Sequence, residues 1–200
     1  MTQMVDLLFA VRGNGVPSDY RYALWNAVRA ALPWVDQEPS TGIVGVRVTP
    51  TGGATALLAR RAKLTLRVPA HRAGEAERLA GTRIDFGSQS IDIEQAHCRP
   101  LAPSATLYSQ LVVLGPDDES VFVRTLEGEL GSLDVACRII LGRRGSLRAG
   151  ERQLVGFPVA LHDCSAEHSM RLQQLGLGAQ RGLGCGMFVP HKRIEGIECP

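Results

Sequence analysis

Two hundred residues, 44% of them apolar and 21% charged, carry a formal net charge of +2. This describes a folded chain of one large or two small domains and excludes a disordered polyelectrolyte. No apolar run approaches the roughly 20 residues of a membrane-spanning helix, the N-terminus lacks the basic stretch and apolar block of a secretion signal, and the five cysteines are odd in number, widely spaced and free of CxxC pairs, which points to a reducing cytoplasm and away from a disulfide framework or zinc ribbon.

In chain order, residues 5–12 form an apolar run fit for a buried strand, and 13–17 carry turn chemistry. Ser18 stands where a helix cap belongs, with Asp19 in the first turn; Leu24, Ala27, Val28, Ala31 and Leu32 then recur at helical spacing until Pro33. Residues 43–49 alternate like a strand, Thr51-Gly52-Gly53 turns the chain, and 54–68 return extended. Lys63, Thr65 and Arg67 share one face there; Leu64, Leu66 and Val68 share the other. A short helix over 70–80, with Gly81 as its C-cap, and an alternating strand around Ile91 and Ile93 complete a β-α-β-β-α-β half.

After an Arg99-Pro100-Leu101-Ala102-Pro103 linker the same order returns. It comprises a strand over 105–114, a helix over 117–133 with Phe122, Leu126, Leu130 and Leu133 on one stripe, a strand over 137–141, and a strand or hairpin over 146–161 turning near Gly150. A helix capped by Ser165 and a closing strand over 183–189 follow. Two such units are two ferredoxin-like folds. The expected class is α+β: tandem ferredoxin-like, RNA-recognition-motif-like domains over 1–98 and 105–200, with residues 99–104 between them.

Charge is unevenly spread. Twenty of the 22 bases are arginine, and residues 39–74 hold no acid while carrying Arg47, Arg60, Arg61, Lys63, Arg67 and Arg72. Residues 137–193 set nine bases against Glu151, Asp163 and Glu167. Two basic segments in a balanced chain suggest a polyanion footprint, and the planar guanidinium suits phosphate and stacked bases. Solvated arginines favoured by base composition are the plain alternative.

The segment over 176–186 concentrates glycine at Gly176, Gly178, Gly182, Gly184 and Gly186. An ordinary helix C-cap and turn need one or two; five imply positive φ or close backbone approach, and free N–H groups to face phosphate. The order helix–loop–strand excludes the strand–loop–helix phosphate motifs. Other candidate groups carry less. Cys164 and His168, four apart, lack further metal ligands in range. His97 and Cys98 point to opposite faces of a strand, and Trp25 and Trp34 read as core rather than a stacking platform.

A C-terminal glycine-rich loop between the last helix and last strand of such a chain resembles the signature of the RAMP superfamily. More narrowly, the chain resembles the myxobacterial (Myxan) subtype of its CRISPR-RNA-processing endoribonucleases. The similar stretches are Asp19-Tyr20-Arg21-Tyr22-Ala23-Leu24, Leu32-Pro33-Trp34, Leu64-Thr65-Leu66-Arg67-Val68-Pro69, Arg99-Pro100-Leu101, Ala105-Thr106-Leu107-Tyr108, Gly142-Arg143-Arg144, Leu147-Arg148, Leu154-Val155-Gly156, Arg171-Leu172-Gln173 and residues 176–191. The resemblance implies cleavage of CRISPR repeat RNA without metal or cofactor, retention of the 3′ hairpin, and partnership with other subunits of a CRISPR effector complex. It assigns RNA backbone contacts to the glycine loop with Arg181, and stem contacts to a hairpin carrying Arg143, Arg144, Arg148 and Arg152. Arg47, Arg60, Arg61, Arg67, His191 and Lys192 join the expected RNA surface.

Relatives of this subtype carry histidines near the first helix and in the following loop; here Tyr20, Asp36 and the Val44-Gly45 region stand in their place. Three outcomes follow. Tyr20 or Tyr22 positions the 2′-hydroxyl while Arg21, Arg47 or Lys63 stabilises the phosphate; His191, beyond the last strand, reaches the site; or the protein binds the hairpin without cutting it. A ferredoxin-like module unrelated to RNA is the distant alternative.

Overall fold

The computed structural model describes residues 2–115 and 118–192; the expected helix start at Asp117, and Arg193 and Cys199, lie outside them. The first half builds a five-stranded antiparallel sheet in the order β3-β6-β1-β8-β7, from β1 (Met4–Arg12), β3 (Gly42–Val46), β6 (Lys63–Pro69), β7 (Arg83–Asp85) and β8 (Ser90–Pro100). The second half orders β10-β12-β9-β13, from β9 (Leu107–Val112), β10 (Arg138–Leu141), β12 (Arg152–His162) and β13 (Val189–Pro190), with β11 (Gly145–Ala149) extending β12 as a hairpin. Counting only the strands of the β-α-β-β-α-β pattern, both halves run second-third-first-fourth, the ferredoxin-like arrangement in tandem.

The helices follow from their apolar stripes. α1 (Arg21–Ala31) buries Leu24 and Val28, and α3 (Glu119–Ser132) buries Phe122, Leu126 and Leu130. Asp118 caps α3 by accepting from the Val121 N–H at 2.9 Å, and Ser165 caps α4 (Ala166–Leu175) by accepting from the His168 N–H at 3.1 Å. Leu7, Phe9, Leu64, Leu66, Val68, Ile91 and Ile93 fill the first core, and Leu107, Phe122, Phe157, Leu161, Leu172 and Phe188 lie in the second.

Several expectations are corrected. Ser18 caps nothing: Tyr20 is the N-cap of α1, and the Ser18 hydroxyl instead donates to the Gly53 carbonyl at 2.7 Å. That bond ties it to a separate three-stranded ribbon of β2 (Gly15–Pro17), β4 (Val48–Pro50) and β5 (Thr55–Leu58). The helix expected over 70–80 breaks into a 3₁₀ turn, α2 (Ala73–Ala76) and a second 3₁₀ turn. The strand expected around Ile91 and Ile93 is β8, which includes Arg99 and Pro100, expected as linker, because Asp6 and Val5 of β1 pair with them. The closing strand shrinks to β13. Finally, Cys137 and Cys164 are joined as a disulfide rather than free. They lie just beyond the last pair of the β10–β12 ladder, Arg138 opposite His162, a proximity that their 27-residue separation conceals.

One polar cluster locks the halves together. Arg67 is fully buried and Asp6 2% exposed. The Arg67 Nε donates to Asp6 at 2.7 Å, its Nη2 to the same carboxylate at 3.2 Å, and its Nη1 to the carbonyls of Gln173 and Phe188, both at 2.8 Å. The guanidinium thus neutralises a carboxylate of the first sheet while satisfying two carbonyls of the second half. Removing it strands a buried charge and two acceptors. Arg67→Met is expected to lower unfolding stability by about 3–5 kcal/mol, read as a shift of the urea midpoint; a shift below about 1 kcal/mol contradicts the clamp.

Candidate nucleic-acid interface

Opposite its helices, the first sheet turns Leu8 of β1, and Lys63 and Thr65 of β6, to one face. The register sets His97 opposite Leu8 and Arg99 opposite Asp6 on that same face. Where β9 approaches, a groove enclosing about 630 Å³ opens, lined by Arg21, Arg47, Arg61, Lys63 and Arg99, with Leu8, Thr65, Gln110 and residues 44–46 between them. Five cations and no carboxylate line it. Arg99 also pairs with Asp6 at 3.1 Å, and since Arg67 already neutralises that carboxylate the cluster remains net positive. Low-dielectric walls lined by one sign of charge focus the field on an anion.

Two bulges shape the rim. β3 spends two residues, Ile43 to Gly45, against one step of β6, with Gly45 at φ +151°. β9 spends three steps, Ser109 to Val112, where β12 spends two, and the extra residue turns Gln110 outward to the groove. There Gln110 meets Arg21, the first residue of α1: Arg21 Nη2 donates to Gln110 Oε1, and Nη1 donates to the Leu183 carbonyl at 3.0 Å. Past this pair the groove continues into a cavity of about 260 Å³ at residues 145–147, the base of the β11–β12 hairpin. Arg143, Arg144, Arg148 and Arg152 are exposed on that hairpin and the approach to it.

The glycine loop departs from expectation. Gly176, Gly184 and Gly186 are buried, and four of the five glycine N–H groups are used inside the protein. Gly176 donates to the Leu172 carbonyl, Gly184 to Arg181, Gly186 to Leu111, and Gly178 to Glu129 Oε2 at 2.9 Å. The glycines are needed for close packing instead. A Cβ at Gly182 would strike the Trp25 ring, and one at Gly184, where φ is +82°, would strike Arg21 Nη1 and stand 2.8 Å from the Ile43 carbonyl. Arg181 is half-buried and donates to the Pro39 carbonyl at 3.3 Å; burial pushes its guanidinium below the usual range, opposed by the Glu129 charge. Four of the five glycine amides expected to face phosphate are therefore engaged within the protein, in a packed loop whose Leu183 carbonyl holds Arg21.

Other expected residues divide similarly. Tyr20 is 5% exposed; its hydroxyl accepts from the Val46 N–H at 3.3 Å and faces the Val46 carbonyl at 3.5 Å, which makes it an anchor for β3 rather than a free proton handler. Tyr22 is exposed, and its ring lies against Gly150 at the hairpin turn. Arg67 is the buried clamp, closed to any ligand. Arg60 is exposed in the turn beside Arg61 but lies outside the groove lining. His191 packs its ring on Tyr108 at 5.3 Å between centroids, and Lys192 beside it is exposed; neither lines the groove. Sequence reasoning missed Arg99 and Gln110. The β1–β8 register identifies the first, and a bulge with no sequence signature aims the second.

Residues 5–193 match the protein family described as Cas6 Crispr. A Myxococcus xanthus (strain DK1622) protein named CRISPR-associated endonuclease Cas6 is 31% identical over 195 residues, covering 97% of this chain and 84% of that protein. Among solved structures, a CRISPR associated protein Cas6 superposes with a TM-score of 0.68 at 9% identity, covering 95% of this chain and 100% of that one. Another, described as an RAMP protein binding different RNA substrates, gives 0.62 at 13% identity, covering 92% and 98%. At these identities the structural likeness is one of fold.

Cys185 reports on the loop packing. It is fully buried, and burial pushes its thiol up to about 11. Iodoacetamide at pH 8 is expected to modify exposed Cys98 in the native protein and to spare Cys185 until denaturant is added. Equal labelling of the two native thiols, read by peptide mass spectrometry, would contradict the packed loop.

Proposed function

This chain belongs to the Cas6 family, and from that premise we propose that it is the endoribonuclease that cuts CRISPR repeat RNA into guide RNA, using the cationic groove to hold the scissile phosphate. The observation that carries this reading is the lining: five bases, no acid, and walls contributed by both halves of the chain. A divalent cation finds no carboxylate donor there, and among the described residues no cluster of three metal-ligating side chains occurs. That donor set favours a metal-free reaction.

In that reaction the substrate's 2′-oxygen attacks the adjacent phosphorus, the bond to the 5′-oxygen breaks, and the products are a 2′,3′-cyclic phosphate and a 5′-hydroxyl. The 2′-hydroxyl proton passes to solvent, and Lys63 donates a proton to the departing 5′-oxygen. Arg21 stabilises the charge that builds on the phosphorane oxygens. Arg47 and Arg61 hold flanking phosphates, and Arg143, Arg144, Arg148 and Arg152 follow the stem backbone, whose A-form groove hides the base edges. Retention of the 3′ hairpin, association with other effector subunits and a cytoplasmic site of action belong to the same proposal. Among the described residues no helix is long and apolar enough to cross a membrane.

A second reading is a subunit that binds the hairpin without cutting it. The absence of imidazole and carboxylate from the groove lining favours it. Incubation with labelled repeat RNA in EDTA decides. Cleavage at one position is expected, abolished when the 2′-hydroxyl at that position is replaced by hydrogen; intact RNA bound tightly supports the second reading, and persistent cleavage of the deoxy substrate overturns the mechanism.

The roles separate in mutants. Lys63→Ala should slow single-turnover cleavage about 100-fold or more. Arg47→Ala and Arg61→Ala should each reduce the slope of log affinity against log salt by about 1. With no imidazole lining the groove, the rate should rise with pH through neutrality without an inflection near 6.5, and His97→Ala should share that profile. An inflection lost in His97→Ala would assign proton transfer to that histidine instead.

A further inference from the structure

Gln110 is exposed at the groove, on the extra residue of the β9 bulge, in the second half of the chain. The side chain it meets, Arg21, begins α1 of the first half. The Arg21 guanidinium is enclosed on three sides. Gln110 Oε1 accepts from Nη2, the Leu183 carbonyl accepts from Nη1 at 3.0 Å, and Gly184 lies so close to Nη1 that a Cβ there would overlap it. Two of the five guanidinium N–H donors are thereby engaged, one with each flanking wall, which leaves three for a ligand in the groove that Arg21 lines.

We infer that Gln110 is a positioning residue that fixes the rotation of the Arg21 guanidinium, so that its remaining donors meet the scissile phosphate preorganised. This rests on the reading that Arg21 acts on that phosphate. A bulge is a means of re-aiming one side chain, and it is found next to functional sites for that reason. An arginine held by one carbonyl alone still turns about its terminal bonds; a second acceptor on the other nitrogen removes that freedom before substrate arrives. Preorganised donors stabilise developing charge without reorganising during the reaction, so the effect falls on the chemical step more than on RNA affinity.

A double-mutant cycle with Arg21→Ala, Gln110→Ala and the pair tests this on the full chain with repeat RNA. Gln110→Ala is expected to slow single-turnover cleavage at saturating protein roughly ten- to hundredfold, with RNA affinity within about twofold, and to cost nothing further when Arg21 is already alanine. Additive losses, or a loss confined to affinity, overturn the inference while leaving the function intact. Nitrogen NMR of the arginine side chains in RNA-free protein supplies the independent readout. The Arg21 guanidinium should rotate slowly in the unaltered protein and freely in Gln110→Ala; free rotation in both overturns the inference even if no preparation cuts RNA, an outcome that separately removes the proposed activity.

Discussion

The structure depends on one buried guanidinium. Arg67 joins Asp6 of the first sheet to the carbonyls of Gln173 and Phe188 in the second half. Those carbonyls flank the glycine loop, so the bond fixes where the loop lies. Two residues along the same strand from Arg67, Thr65 lines the groove, and Lys63 follows two residues further. The periodicity of β6 therefore assigns its first positions to the groove and its later one to the clamp. A buried ion pair costs desolvation, and this one is stabilised because each of the three guanidinium nitrogens has a partner. Its return is a fixed relation between the two halves, without which a groove built from both has no constant width.

The glycine loop acts through packing. Four of its five glycine amides are satisfied internally, and its missing side chains let Trp25, Arg21 and the Ile43 carbonyl come close. It offers the groove a carbonyl, Leu183, that orients a cation. Among the cationic side chains that line the groove, Arg21 is held by two hydrogen bonds and Arg99 by its pairing with Asp6. In the proposed function the exposed hairpin arginines follow a stem by its backbone, and Arg21 meets the phosphate that reacts.

The fold was legible in the sequence because hydrophobic periodicity is local. The Leu64-Leu66-Val68 alternation and the Phe122-Leu126-Leu130 stripe specify their elements unaided, and the repeated order supplies the topology. The site was only half legible. Acid-free residues 39–74 announced Arg47, Arg61 and Lys63, yet the same run concealed that Arg67 faces a carboxylate 61 residues away. Dense glycine signalled close approach, and whether the neighbour is a phosphate or Trp25 depends on tertiary packing. Ser18 carried a cap's chemistry, but its hydroxyl donates to the Gly53 carbonyl instead of accepting from a helix N–H. Gln110 had no signal, since a bulge is a property of two strands together. Cys137 and Cys164 became neighbours through the β10–β12 register alone.

The central claim is that the scissile phosphate lies in the groove between the two halves. Photo-crosslinking a repeat RNA that carries 4-thiouridine beside the cleavage position, followed by peptide mapping, tests it most directly. Adducts are expected on peptides containing residues 44–65 and Gln110. Adducts confined to the outer surfaces of α3 or to the ribbon of β2, β4 and β5 would contradict the account.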